Sequence, residues 1–308
     1  MVFRQESRQT VRTLLLAGVL ALGFALVAAL FTARPSRAEP TQVVSIKELV
    51  AQAEADNADA QVLLATLYLS REGDTARAWR LLDRAAAKGN AAAKRRLAAL
   101  ALEGKRPDPE RAVRLLREAA AAGDGAAAVS LARMMAEGIG TDRDEVGAVR
   151  VLEEAAAGGS AEAMASLSGF LAAGRGVPPD PERARALMVA AAGRGLASAQ
   201  HEVAMAYLKG DGVEPDSVLA AGWMRRAAEA GHPPSQYNLG VMLLMGHGLA
   251  QDPVEAVKWL SLAGQGGDNA MHARVDTQLR LATETFGRAI VADGVRAAER
   301  WSKTHGSS

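Results

Sequence analysis

From Glu39 onward the chain mixes apolar and charged residues in long runs of Ala, Leu, Arg and Glu, with few aromatic and β-branched residues. Such runs are typical of α-helices, since these four residue types favour helix and β-branched residues do not. No segment after Glu39 is apolar enough to span a bilayer. The pattern therefore predicts an all-α protein that follows an N-terminal segment of different character.

Residues 1–38 have the pattern of a secretory signal. Three arginines precede an uncharged apolar run, Thr13–Phe31, and Ser36 and Ala38 place small residues at the third-last and last positions before a cut after Ala38. The run is longer than the roughly 7–15 residues of a signal core and close to the ~20 of a membrane-spanning helix. This segment is thus a cleaved signal peptide or a retained anchor that holds the chain in the inner membrane by residues 13–31. Both interpretations export the rest of the chain, to the periplasm or beyond.

A module repeated six times organises the exported part. An Asp recurs at intervals of 34 and then 36 residues, an Ala follows it after four residues, and a Gly follows it after fifteen. The aspartates are Asp74, Asp108, Asp144, Asp180, Asp216 and Asp252. The closing glycines are Gly89, Gly123, Gly159, Gly195, Gly231 and Gly267. Agreement of six copies at several positions identifies a structural repeat.

Each repeated residue has a physical role in a helical hairpin. The Asp caps free N–H groups at a helix start, worth about 1 kcal/mol, and the closing glycine takes the left-handed conformation that ends a helix. A Gly-x-Gly, starting at Gly138, Gly174, Gly210 and Gly246, lies in the loop between the two helices. A phosphate cradle is a weaker interpretation of Gly-x-Gly, because neither a phosphate-binding lysine nor a preceding strand accompanies it. Metal binding by the six Asp is also disfavoured, because successive units would hold them too far apart.

The fifth and sixth units carry the clearest motif. They read "AQHEVAMAYLKGDGVEPDSVLAAGWMRRAAEAG" and "SQYNLGVMLLMGHGLAQDPVEAVKWLSLAGQGG". This pattern resembles the Sel-one-like repeat family, a relative of the tetratricopeptide repeats, over Ala58 to Gly267; the first two units have shorter loops without Gly-x-Gly. The resemblance implies an α/α solenoid of stacked antiparallel helical hairpins in a right-handed superhelix. It divides the exported chain into an N-terminal capping helix at 39–57, six repeats at 58–268 and a helical cap at 269–308.

By analogy with tetratricopeptide geometry, the first helix of each hairpin lines a concave groove. Its side chains would then be Val62, Thr66, Arg95, Val129, Arg133, Ala165, Gly169, His201, Met205, Tyr237 and Val241. Those selected for partner binding are Arg95, Val129, Arg133, His201, Met205, Tyr237 and Val241. A largely apolar groove with two arginines and a histidine suits an extended peptide or a partner helix of some acidic character. The alternative is that several of these side chains merely pack between units.

The sequence contains no constellation of catalytic residues. The five histidines are scattered without metal-ligand spacing, the chain has no cysteine, and Gly-x-Ser-x-Gly and Ser-x-x-Lys are both absent. Positions 1–38 hold five Arg and one Glu of the chain's 36 basic and 35 acidic side chains, which leaves 31 basic and 34 acidic. That balance gives no reason to expect nucleic acid as a partner, or a membrane contact other than through an uncleaved N-terminal segment. We therefore expect no cofactor, no metal and no enzymatic activity.

The family resemblance suggests an exported, non-catalytic adaptor or regulator in the bacterial envelope, with another protein as its partner. Such a protein would restrain a sensor kinase from the periplasmic side or support polysaccharide secretion machinery. One alternative is a structural protein associated with peptidoglycan or another glycan, which would need an exposed aromatic platform. A remote alternative is β-lactam binding or hydrolysis, known from a branch of the family whose repeats pair cysteines that this chain lacks.

Overall fold

The structure is a computed structural model and describes residues 45–72, 74–103 and 107–305. The predicted signal peptide or anchor at 1–38 and the start of the predicted N-terminal cap lie outside these ranges. Within them the chain forms fifteen α-helices and no β-strand. No helix in these ranges is both long and apolar enough to cross a membrane.

Six helical hairpins follow a first helix, α1 (Ile46–Glu54). They are α2 (Ala58–Leu67) with α3 (Thr75–Ala87), α4 (Ala91–Glu103) with α5 (Pro109–Ala121), α6 (Gly125–Glu137) with α7 (Glu145–Ala157), α8 (Ala161–Ala173) with α9 (Pro181–Gly193), α10 (Ala197–Lys209) with α11 (Ser217–Glu229), and α12 (Pro233–Met245) with α13 (Pro253–Gly266). We call the first helix of each hairpin helix A and the second helix B. A π-helical segment, Tyr68–Glu72, extends α2, and α14 (Asn269–Phe286) and α15 (Arg288–His305) follow the last hairpin. Consecutive helices of the six hairpins pack on each other, and the predicted all-α solenoid is confirmed.

Local capping chemistry sets where the B helices begin. In all six units the side chain of the repeated Asp accepts a hydrogen bond from the backbone N–H three residues later, at 2.7 to 2.9 Å. The first glycine of each Gly-x-Gly ends its helix A in the left-handed conformation, with φ between 65° and 72°. Both ends of the loop within a unit are therefore fixed by residues that recur in the sequence.

In three of the four copies, the second glycine of Gly-x-Gly locks its unit to the backbone of the one before it. Gly176 has φ +71°, and a Cβ on it would lie 2.4 Å from the carbonyl oxygen of Glu145, the first residue of the preceding helix B. The equivalent approaches are 2.3 Å from Gly140 to Pro109 and 2.0 Å from Gly248 to Ser217. Only glycine tolerates both the left-handed backbone and this approach, so these loops are contacts between units.

One sequence-based expectation is wrong for the last closing glycine. The first five closing glycines have φ between 80° and 94°, but Gly267 is extended, with φ −94° and ψ 169°. Helix α13 continues through Gly266. A Cβ on Gly267 would lie only 2.4 Å from the Cγ of Met271 in α14. Helix α13 is one residue longer than the other B helices, and the 18-residue helix α14 follows Gly267 in place of a helix A.

Small residues in the A helices form much of the core between helices. The third, seventh and eighth residues of every helix A are buried in all six units, as in Ala93, Leu97 and Ala98. A buried glutamine at the fourth position adds a link that the repeat pattern did not predict. The Nε2 atoms of Gln61, Gln200 and Gln236 each donate to a carbonyl oxygen eight residues back, at 3.1 Å. Because buried carbonyls need a donor, this bond ties helix A to the end of the preceding helix.

The last helix, α15, packs against α13. Gly294 approaches so closely that a Cβ on it would lie 2.4 Å from the Cβ of Val257, and Ala298 is buried. Trp301 meets Trp259 edge to face, with ring centroids 5.2 Å apart, and Lys258 Nζ lies over both rings. The apolar side of the last helix B is thereby covered, which a solenoid requires at its end.

Candidate functional site

The A helices present one row of exposed and half-buried side chains. Counted from the first residue of each helix A, these are positions 2, 6, 9 and 13, which fall on one helix face. We call this surface the A ridge. It comprises Asp59, Leu63, Thr66 and Ser70; Ala92, Arg96, Ala99 and Glu103; Ala126, Ser130, Arg133 and Glu137; Glu162, Ser166, Gly169 and Ala173; Ser198, Glu202, Met205 and Lys209; and Pro234, Asn238, Val241 and Met245. No member of this set is buried.

Contacts link neighbouring A helices along the ridge. Helix α6 contacts α8, and Arg95 Nε of α4 lies 2.9 Å from Asp124 Oδ2, the carboxylate that caps α6. Asn238 donates to the Met205 sulfur at 3.6 Å. A partner laid across the A helices would therefore meet one surface that extends over several units.

The chemical character of the ridge changes along its length. Its ends carry exposed apolar side chains, with Leu63 58% exposed and Met245 70% exposed. The fourth unit carries small residues, and a Cβ on Gly169 would meet nothing within 4 Å. Beside Gly169 a cavity of about 380 Å³ opens between α8, α9 and α10, where Met188 and Met205 are apolar and Arg185 is charged. The surface thus offers apolar anchors and, beside Gly169, a space that can receive a partner's side chain.

The sequence-predicted groove residues divide into two groups. Thr66, Arg133, Gly169, Met205 and Val241 occupy the ninth position and belong to the A ridge.

The other group, at the fifth position, lies beside the ridge. It comprises Val62, Arg95, Val129, Ala165, His201 and Tyr237. Val62 and Tyr237 are buried, and Arg95 and His201 contact the next unit. Positions 2, 6 and 13 were not predicted from the sequence, although the spacing of one helix face indicates them. The part that each predicted residue plays in partner binding stays a prediction.

Stacking also brings two histidines together. His201 Nδ1 and His232 Nδ1 each lie 2.9 Å from the Ser235 hydroxyl, and the two ring centroids are 5.1 Å apart. The Ser235 hydroxyl therefore joins the two imidazoles, and its single proton can be donated to only one of them. These histidines look scattered in the sequence, because His201 and Ser235 belong to successive units and meet only across the unit boundary.

Burial sets the ionisation of this pair. It lowers the pKa of His201, and it lowers the pKa of His232 with a further contribution from the neighbouring His201. Ser235 is fully buried, so its hydroxyl is not open to a substrate. In the ranges that the structure describes, no group of three or more His, Asp or Glu side chains is placed to hold a metal ion. The arrangement couples two units and gives the contact a dependence on pH.

The unit boundaries decide the family. Six matches to the Sel1 repeat model cover residues 58–90, 91–124, 125–160, 161–196, 197–232 and 233–268, and each match begins at the first residue of a helix A. The chain belongs to the Sel1 repeat family. Sel1 repeat proteins are generally non-catalytic scaffolds, and their repeats generally mediate protein–protein interaction.

Solved structures share this fold. A Sel1 repeat protein from Oxalobacter formigenes is 28% identical with a TM-score of 0.62, over 75% of this chain and 69% of that one. A protective antigen of uropathogenic Escherichia coli with an SLR fold is 26% identical with a TM-score of 0.56, over 83% of this chain. The match spans only 56% of that antigen's length. An immunity protein from Pseudomonas aeruginosa, 20% identical with a TM-score of 0.52 over 68% of this chain and 81% of that one, shares the fold alone. No curated protein sequence matches the chain.

Proposed function

We propose that this Sel1 repeat protein is an exported, non-catalytic scaffold of the bacterial envelope that binds a partner protein along the A ridge. The observation that carries the proposal is the ridge itself: a row of exposed and half-buried side chains aligned across six units of a fold that generally mediates protein–protein interaction. Extended surfaces of this kind are how solenoids engage other proteins.

The proposed location rests on the N-terminal sequence. The signal-like pattern of residues 1–38 supports export to the periplasm, with residues 13–31 as an inner-membrane anchor if the segment is retained. The proposed partner is an envelope protein, for which a sensor kinase and a component of polysaccharide secretion machinery are the two classes that the family resemblance suggests. Its bound segment would be an extended peptide or a helix whose apolar side chains meet the anchors of the ridge.

Glycan binding is the weaker alternative because the large aromatic side chains are occupied. Trp259 and Trp223 are only 1% and 6% exposed, and Tyr237 is 8% exposed beneath Arg274. Trp79 is half-buried with Arg111 over its ring. A sugar ring stacks on an open aromatic face, and these four faces are covered by protein atoms.

The test compares two tryptophan substitutions at glycines with open space around them. Gly169→Trp fills the cavity of the A ridge, whereas Gly193→Trp places the same side chain at the exposed end of a helix B. After crosslinking in intact cells, the partner captured by the wild type is quantified by mass spectrometry for both variants. We expect about a ten-fold loss for Gly169→Trp and none for Gly193→Trp. Equal capture by both variants would place the partner elsewhere.

A further inference from the structure

A second cavity lies at the N-terminal end of the solenoid, away from the A ridge. It measures about 290 Å³ and opens between α1, the end of α2 and α3. Its apolar part includes Val50, Leu64, Tyr68 and Leu81, which belong to or pack against a small core cluster at this end of the chain. No A-ridge residue lines it. A pocket just below the roughly 300–1,000 Å³ of small-molecule sites suits one anchoring side chain better than a whole cofactor.

One face of α3 surrounds this apolar space with arginines. Arg77, Arg80 and Arg84 recur at helical spacing, all three are exposed, and all three line the cavity together with a single carboxylate, Glu54. Arg77 is oriented by Asp74 at 3.2 Å and lies over the Tyr68 ring. Among the described residues Arg80 forms no ion pair of its own. The guanidinium of Arg80 can therefore take a partner's carboxylate, and Arg77 and Arg84, which each form an ion pair, keep further N–H donors beside it.

Ion pairs and hydrogen bonds connect the turn beside the cavity to α3. Asp56 has a left-handed backbone, and its carboxylate contacts Arg84 at 2.9 Å, Gln61 at 3.0 Å and the ammonium of Lys88. These hydrogen bonds lower the pKa of Asp56 to about 2, and the bond from Lys88 contributes most. The loop between α1 and α2 is thereby fastened to α3, which sets the position of Val50 and Ala53 at the cavity.

The surrounding sequence gives this end of the solenoid a positive field. Residues 45–123 hold fourteen Lys and Arg against eleven Asp and Glu, whereas residues 124–172 hold three against eight. Such an asymmetry steers an acidic partner toward the first two units and away from the third. The arginines at the rim of the cavity and the positive charge of the surrounding sequence therefore both favour a negatively charged partner.

We propose that this cavity binds an acidic segment of a partner protein, with one aromatic or aliphatic side chain inserted between carboxylates that meet Arg77, Arg80 and Arg84. Arg77 and Arg84 are seven residues apart on α3, about 10 Å along the helix axis. An extended segment covers that distance in about three residues. The recognised motif is thus a pair of Asp or Glu residues roughly three positions apart with an apolar residue between them.

Selection from a phage-displayed library of random peptides tests this proposal on the full chain. The library is first depleted on an Arg80→Glu variant and then selected on the wild type. Arg114→Glu is the matched control, because Arg114 is exposed at the same position of the next helix B and does not line the cavity.

We expect enriched peptides to carry acidic residues around an apolar one. Their affinity should fall about ten-fold in Arg80→Glu and stay unchanged in Arg114→Glu and in Gly169→Trp. A peptide with Lys in place of its Glu residues should instead prefer Arg80→Glu. Enrichment without acidic residues, or equal loss in the two arginine variants, would overturn the proposal. Loss in Gly169→Trp would place the peptides on the A ridge and overturn it as well, while leaving the proposed function standing.

Discussion

The close contact of the Gly-x-Gly loop with the preceding unit gives the most direct prediction about stability. Gly176→Ala places a methyl group at a residue with φ +71°, where it would lie 2.4 Å and 2.5 Å from the carbonyl oxygen and carbon of Glu145 and 2.9 Å from the nitrogen of Val146. All three are backbone atoms of the preceding unit, so no side-chain rotation relieves the contact. Either the loop or the start of α7 must move.

The expected cost of this substitution has two components. Left-handed backbone costs an alanine about 1–2 kcal/mol, and forcing a methyl group into packed atoms costs about 1–3 kcal/mol. Alanine also lowers the conformational entropy of the unfolded chain, which offsets about 0.4–1 kcal/mol of this cost. We therefore expect the free energy of unfolding to fall by about 2–4 kcal/mol, which lowers the melting temperature of a domain of this size by roughly 5–15 °C.

Gly169→Ala, seven residues earlier, is the matched control. Gly169 lies inside α8 with nothing within 4 Å of an added Cβ, so alanine there should add about 0.8–1 kcal/mol of helix stability. Thermal unfolding followed by circular dichroism should place the two variants on opposite sides of the wild type. If Gly176→Ala melts with the wild type, the close approach between units does not exist in solution, and the role of Gly-x-Gly as a lock is refuted.

Two further predictions concern the histidine pair and the C-terminal cap. Burial lowers both histidine pKa values, so the folded state favours neutral imidazoles. The contribution of the pair to the free energy of unfolding is therefore complete above pH about 6.5 and is lost as the pH falls through the unfolded-state pKa. Urea unfolding from pH 7 to 5 should lose stability more steeply in the wild type than in His201→Asn/His232→Asn, with the exposed His247→Asn as control; equal slopes would contradict this. Trp301→Ala should lower the free energy of unfolding by about 2–3 kcal/mol and speed hydrogen exchange in α15 but not in α2. Unchanged exchange in α15 would show that Trp301 does not hold the C-terminal cap in place.

Local chemistry explains which features the sequence could predict. An Asp that caps a helix, or a glycine that ends one, acts within four residues of itself, so six copies of Asp180 and its equivalents sufficed to place the B helices. Gly267 departs from the pattern: its helix continues one residue further than the other B helices, and its backbone is extended.

Features that depend on how the units stack on each other could not be predicted from the sequence. The fifth and sixth positions of a helix A lie one residue apart, yet the structure turns Tyr237 into the core and leaves its neighbour Asn238 on the ridge. His201 meets Ser235 only through the offset between two units, and the arginine-rimmed cavity exists because α1 docks on α2 beside α3. Each is set by relative placement of helices, which a single sequence does not specify.

The central claim is that a partner protein binds along the A ridge. Its most direct test is a photoreactive amino acid placed at Ala173, on the ridge, and in a second variant at Ala186, exposed on helix B of the same unit. After irradiation of living cells, we predict that Ala173 crosslinks one defined envelope protein and that Ala186 does not. Crosslinking from Ala186 with none from Ala173 would contradict the claim and assign partner binding to the B helices.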